Sequence, residues 1–246
     1  MVDLASRDSS PSAKHRSRVG SGLYAYVFEK LGQEIIDGAL PVGSIVFAEQ
    51  ISERFGVSRS VVRESLRSLA SMGLLESRPQ VGTRVQPRER WDLLNPHVVY
   101  WRSQGHDYRQ QMRELLELRL GLEQAAARFA SERIHPEQAE QLMAAAEDMH
   151  VAFHSTHDLR AFFDADVVFH RMLLEGTGNP VIAQLSDTIG ATLHARAMDT
   201  RPGMHDLTES SVETHLELAR AIAAGDGDRA ETLARALVTD TLDEFS

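Results

Sequence analysis

The stretch FGVSRSVVRESLRSLASMGLL, from Phe55 to Leu75, constrains this chain more than any other. Gly56 marks a turn. Ser58 stands where a helix N-cap belongs, because its hydroxyl can accept from an otherwise unpaired backbone N–H. Val61, Val62, Leu66 and Leu69 recur at helical spacing and predict a buried stripe. Arg59, Arg63 and Arg67 follow an i, i+4, i+8 spacing on another face. Two readings fit such a helix. One is an ordinary amphipathic helix with a solvated arginine face. The other is the second half of a helix-turn-helix, whose N-terminal residues meet base edges and phosphates.

The flanks favour the second reading. Val27, Leu31, Ile35 and Ile36 predict a helix over Tyr24 to Ala39, ended by Gly38 and the Pro41-Val42-Gly43 turn. Glu49 to Phe55 is a second, short helix. Gly73 to Arg78 and Pro79 to Val85 read as strand, tight turn and strand. Three helices and a two-stranded wing make a winged helix-turn-helix over residues 23–88. The run VSR..VRE.L..L...GL......G..V, present from Val57 to Val85, resembles the N-terminal domain of the GntR family of bacterial transcription regulators. That resemblance implies DNA contacts from Ser58, Arg59, Ser60 and Arg63, and from a wing tip at Val81 and Gly82. The physics agrees. An arginine fork binds phosphate or guanine in bidentate fashion, each good base contact being worth roughly 1–3 kcal/mol of discrimination. Gly82 lets backbone approach a phosphate closely. Glu49 stands where some members of that family place a DNA-contacting arginine, which implies no contact from that helix and a different operator preference.

A net charge of −10 looks wrong for a DNA binder until it is divided. Residues 1–88 carry +3 and residues 89–246 carry −13. A DNA-reading domain joined to an acidic sensing domain shows such asymmetry. Residues 1–22 are Ser-rich with little apolar content and read as a disordered arm. No segment approaches 18 consecutive apolar residues and no apolar leader opens the chain, so a cytoplasmic protein without a membrane partner is expected. The chain has no cysteine, which excludes disulfides and thiolate metal sites.

Residues 89–107 read as a linker with a short helix, in which Trp91 and Trp101 are packing anchors. Over residues 108–246 helical periodicity runs on without strand signals. The spacing predicts helices over Gln111 to Arg133, Pro136 to about His154, and Asp158 to near Gly176. Further helices are predicted from Asn179 through Leu193, over Leu207 to Ala224, and over Asp228 to about Glu244. The fold class is thus mostly α: a winged helix-turn-helix followed by an antiparallel all-α bundle of six or seven helices. Asp166 and His170, four apart on one predicted helix, project from one face. His215 on a later helix could join them across the bundle. Imidazole and carboxylate suit Zn, Ni or Mn. A plain hydrogen-bonded Asp–His pair fits the same spacing.

The bundle resembles the FCD ligand-sensing domain of the FadR-type GntR regulators. The residues that carry this are Glu117-Leu118-Arg119 with Glu123, Asp166 to Leu173, Asn179, and His215 to Ala230. The resemblance implies a divalent metal on Asp166, His170 and His215, with a third histidine on the last helix. Leu237 occupies that last position, so the protein ligand set is incomplete. Two readings stay open: a three-ligand metal site completed by an anionic effector, or no metal and direct hydrogen bonds from these side chains to a polyhydroxy ligand. Arg119 is implied to bind the effector; a structural pair with Glu123 at i+4 is its alternative. Arg201 would add a second cation or a lid, or remain solvated. Trp91, Trp101, Asn179-Pro180-Val181 and Asp226-Gly227-Asp228 resemble the galactonate-responsive branch of that subfamily, which implies a sugar acid such as an aldonate. The implied whole is a homodimeric repressor that binds double-stranded operator DNA and a small organic-acid effector. A metal-dependent enzyme acting on a small carboxylate through Asp166, His170 and His215 is the alternative from another class. No general-base motif, nucleophile elbow or phosphate loop accompanies those residues.

Overall fold

The computed structural model describes residues 13–78, 82–198 and 208–245. They form two compact units, one ending at Asp92 and one beginning at Leu93.

The first unit starts with α1 (Ala13–Ile36). Its Val27, Phe28, Leu31 and Ile35 are buried at helical spacing. Residues 13–22, expected within a disordered arm, are helical. Extending an established helix costs far less than nucleating one, and no proline interrupts the run from Ala13. Gly38 at φ +76° turns the chain out of α1. Helix α2 (Ala48–Phe55) closes at Gly56, which adopts the left-handed conformation expected of a C-terminal glycine. Helix α3 (Arg59–Ser71) is capped by Ser58, whose Oγ accepts from the Val61 N–H at 3.4 Å. It buries Val62, Ser65, Leu66 and Leu69, while Val61, expected in the same stripe, stays partly exposed. Tyr24 of α1 donates its hydroxyl to Ser68 of α3 at 2.9 Å, pinning the two helices where they pack.

The wing has three strands rather than two. β1 (Ile45–Val46) and β2 (Leu75–Arg78) both pair antiparallel with β3 (Gly82–Val85), in the order β1-β3-β2. β1 is two residues long, too short to show a periodicity of its own. Gly82 has φ +107°, and a Cβ there would stand 2.6 Å from Ile45 Cγ2. Its glycine is therefore required by the wing's own packing.

The second unit is all helix among its described residues: α4 (Pro96–Ser103), α5 (Tyr108–Arg133), α6 (Pro136–Val151), α7 (Leu159–Glu175), α8 (Pro180–Ala183), α9 (Ser186–Ala197), α10 (Glu209–Ala223) and α11 (Gly227–Asp243). A π turn, Ala152–Thr156, extends α6. Asn95, Asp158, Asn179, Thr208 and Asp226 each accept a backbone N–H at the helix they precede. The helix expected from Asn179 through Leu193 is split. The Ser186 hydroxyl donates to the Ala183 carbonyl at 2.7 Å, offering that acceptor a local partner in place of the helical one. Helix α5 packs on α11 and α7, α7 on α6 and α9, and α10 on α6 and α11. Ala126, Ala127, Ala130, Ala145, Ala146 and Ala219 are buried at these contacts, and their small side chains let the helices approach closely. None of the described helices is long and apolar enough to cross a membrane.

Gly73 ends α3 in a Schellman arrangement: its N–H reaches the Ala70 carbonyl and the Leu74 N–H reaches Leu69. It sits at φ +75°, and a Cβ would fall 1.9 Å from the Arg90 carbonyl oxygen. Gly73→Ala should therefore destabilise the DNA-reading unit by roughly 2–3 kcal/mol, combining a left-handed backbone with a clash against main chain. Urea unfolding monitored at Trp91 checks this; an unchanged midpoint contradicts it.

Candidate functional site

Five ionisable side chains from three helices meet inside the second unit. Arg119 and Glu123 come from α5, Asp166 and His170 from α7, and His215 from α10, all of them buried. Arg119 Nε donates to Glu123 Oε1 at 2.6 Å and its Nη2 to Oε2 at 3.3 Å. Glu123 Oε2 also lies 3.0 Å from His170 Nδ1. His170 Nε2 lies 3.2 Å from Asp166 Oδ1 and 3.1 Å from Arg119 Nη2. His215 Nε2 approaches Asp166 Oδ1 to 3.4 Å. Asp166 Oδ1 and His215 Nε2 are nevertheless buried without a hydrogen-bond partner.

The tautomer of His215 follows from its neighbours. Its Nδ1 is 2.7 Å from the Ser211 carbonyl oxygen, which can only accept. Nδ1 therefore carries the hydrogen, and the lone pair of the neutral ring sits on Nε2, facing Asp166. Burial works to raise the Asp166 carboxyl, but the neighbouring His170 imidazole holds it below the usual carboxylate range. Burial likewise opposes ionisation of Glu123, yet Arg119 and His170 lower it to about 2. Burial opposes protonation of His170, yet the charge of Glu123 and the close approach of both carboxylates outweigh it and the Arg119 charge, raising the ring to about 9.

The cavity at this cluster is lined further by Leu237, Thr241, Ser211 and Arg196, and its volume is about 20 Å³. That is room for one water or one ion. Leu237 forms part of its wall, while Asp240, one possible substitute ligand on the same helix, is exposed. Arg119 has taken the i+4 partner offered by its own helix. The cation that sequence reasoning missed is Arg196, on α9. Its Nη2 contacts both carboxylate oxygens of Glu244, at 2.8 and 2.9 Å, while its Nε is buried without a partner. These two residues lie 48 apart, so no local pattern ties them together. Arg201 and Val81 lie outside the described residues.

In the first unit, Ser58, Arg59, Ser60 and Arg63 are all exposed at the start of α3. Ser58 and Ser60 share a hydroxyl contact of 2.8 Å. Arg59 Nη1 lies 3.3 Å from Glu49 Oε1 of α2, both side chains solvent-facing. Glu49 thus holds the first arginine of α3 instead of adding a cation to the same face.

The family model "Bacterial regulatory proteins, gntR family" matches residues 23–85, and that of the FCD domain matches residues 114–240. The galactonate operon transcriptional repressor of Escherichia coli K12 is 31% identical, the alignment covering 86% of this chain and 91% of that protein. The HTH-type transcriptional repressor NanR of Escherichia coli is 27% identical over 93% of this chain and 88% of its own. Among solved structures, Streptococcus agalactiae GntR is 25% identical with a TM-score of 0.52, over 89% of this chain and 99% of that one. Lar, described as controlling the Listeria monocytogenes agr system, is 18% identical with a TM-score of 0.63, over 91% and 96%, and shares the fold. This chain therefore belongs to the gntR family and is a transcriptional regulator that joins a DNA-binding winged helix to an FCD domain.

Proposed function

We propose that this regulator is a homodimeric repressor that releases its operator when the FCD unit binds a small carboxylate, a sugar acid of the aldonate class, together with a divalent cation. The observation that carries the ligand site is the facing pair of buried atoms without partners, Asp166 Oδ1 and His215 Nε2. A buried carboxylate oxygen and a bare imidazole nitrogen repel unless something positive lies between them. The donor set of two imidazoles and one carboxylate suits Zn, Ni or Mn. The Ser211 carbonyl and the Glu123 carboxylate orient the two rings from behind, as outer partners of metal-bound histidines do. Asp166, His170 and His215 would hold the ion, and Leu237 leaves the protein ligands at three. When bound, the cation supplies positive charge and an open position for a ligand oxygen.

Charge balance then selects the effector. Without a cation, Arg119 and protonated His170 neutralise Glu123 and Asp166. With a dication and a neutral His170, the same cluster carries one surplus positive charge. A monocarboxylate restores neutrality, which a buried site demands. The galactonate repressor likeness supports a hexonate as that acid.

A cavity of about 20 Å³ cannot hold such a molecule, since ligand pockets run to roughly 300–1,000 Å³. The Arg196–Glu244 pair is the part built to open. Glu244 caps the C-terminus of α11, where helices fray, and its carboxylate sits on Nη2 of a guanidinium that an effector carboxylate would use. Neighbouring Phe245 packs against Tyr108 at the start of α5, with ring centroids 6.0 Å apart. Exchange of Glu244 for ligand would therefore loosen the end of the bundle that follows α4. A ligand shifts the DNA-bound population only through different affinity for the two arrangements, and this exchange supplies such a difference.

On the DNA side, Ser58, Arg59, Ser60 and Arg63 are the proposed contacts, with Gly82 and Val81 at the wing. Arg63→Ala should weaken operator binding by about 1–3 kcal/mol and leave the melting temperature unchanged. Glu49→Gln should free Arg59 and tighten binding, most at low salt. Mobility-shift titrations at two salt concentrations read both; unchanged affinities remove α3 as the reading helix.

Chelator-stripped protein should gain thermal stability from Zn, Ni or Mn, and a further gain from aldonates only when the metal is present. A ligand at 100 times its Kd adds about 2.7 kcal/mol, visible as a raised Tm. Asp166→Asn should abolish the aldonate gain and the share of the metal gain that the buried site supplies. An aldonate gain indifferent to metal would make the cluster a direct hydrogen-bonding site, and no gain from any carboxylate would sink the effector class. Glu244→Gln should tighten effector binding roughly tenfold by weakening the competing intramolecular anion. Equal affinities by calorimetry would remove the exchange.

A further inference from the structure

A second set of metal-type donors lies on the surface where the end of α6 meets α10. His150 is in the last turn of α6, His154 in the π turn that follows, and Glu213 on α10. One ring nitrogen from each histidine and a carboxylate oxygen all lie within 4.8 Å of one another. His150 Nε2 is 3.7 Å from Glu213 Oε1, and the two imidazole centroids are 4.4 Å apart. Residues four apart on a helix project from one face, so the backbone places both rings before any ion arrives.

Two further observations separate this cluster from a chance grouping of solvated side chains. The backbone at His154 is not regular helix. The π turn ends at His157 with φ 51°, an uncommon conformation for a residue other than glycine. Single π turns are frequent at functional sites. The His154 ring is also held from the side, edge to face with Phe153 at 4.9 Å and 86°.

We propose that His150, His154 and Glu213 form a surface site for a divalent transition-metal ion of the Zn²⁺ class, which clamps the end of α6 to α10. This site goes beyond the buried cluster and does not depend on it. Donors on one tetrahedral zinc stand roughly 3.3 Å apart, so the three must close by somewhat over 1 Å. Half-exposed side chains manage that by changing rotamer. The consequence is regulatory. Glu213 is exposed and His215, two residues on, is buried in the effector cavity, so an ion outside restrains the helix that lines the cavity inside.

Zinc titration of chelator-stripped, full-length protein by calorimetry, with bound metal counted by mass spectrometry, tests this. The wild type should take up two ions per chain with micromolar or tighter affinity. His150→Ala/His154→Ala should take up one, Glu213→Gln should bind its second ion at least tenfold more weakly, and Asp166→Asn should keep the outer ion alone. The metal-free double variant should melt at the wild-type temperature, since both rings reach the surface. Two ions retained by the double variant would overturn the assignment. So would a second affinity weaker than millimolar, or a plateau at half an outer ion per chain, which would place the ligands on two copies. A single ion lost only in Asp166→Asn would remove the outer site and leave the buried one standing. A single ion lost only in the double variant would do the reverse.

Discussion

A guanidinium and a carboxylate buried one helical turn apart set the terms for the whole FCD unit. Either charge alone would cost several kcal/mol in the interior, and the pair survives because its fork is matched and its remaining lone pairs are used. Arg119 and Glu123 do not stop at each other. Glu123 also meets His170, His170 meets Asp166, and Asp166 meets His215. Helices α5, α7 and α10 are thus tied at one depth by a chain of charge-assisted contacts. The aromatic core of Phe162, Phe163 and Phe169 packs around them and keeps the local dielectric low. The last link is the weakest: Asp166 Oδ1 and His215 Nε2 approach to 3.4 Å without a hydrogen bond, beside a space of about 20 Å³.

Much of this was legible in the sequence because it is local. The cap at Ser58, the glycine turn at Gly56 and the stripe of Val62, Leu66 and Leu69 are each set within one helix, and each takes the expected form. The i, i+4 pairs Arg119–Glu123 and Asp166–His170 are legible for the same reason. What escaped is what depends on partners far along the chain. β1 exists only because β3 returns beside it, and two residues carry no period. The break between α8 and α9 depends on one serine hydroxyl choosing a nearby carbonyl. Arg196 looked like any arginine near a helix end until Glu244 closed on it from the end of α11.

The two units use arginine in opposite ways, and the difference follows from solvent. Arg59 and Glu49 face water, where an ion pair is worth a fraction of a kcal/mol and yields readily to a phosphate. Such a pair does not fix structure, and under the proposed reading it would tune DNA affinity. Arg196 and Glu244 are mostly buried, in a setting where the pair holds until another anion replaces it. That is the property the proposed exchange requires.

The same buried cluster is in keeping with a regulator and not an enzyme, as the family places the chain. A metal-assisted hydrolase needs a base with a free lone pair poised near neutral pH, and space for water beside the substrate. Here Glu123 is held at about 2 with its oxygens engaged by Arg119 and His170. Asp166 is held lower still, facing both imidazoles. Both carboxylates are thus held ionised, far below the range of a base poised near neutral pH. The proposed release of Glu244 from Arg196 would trade an internal anion for an external one. That exchange is reversible, which is the property a sensor needs.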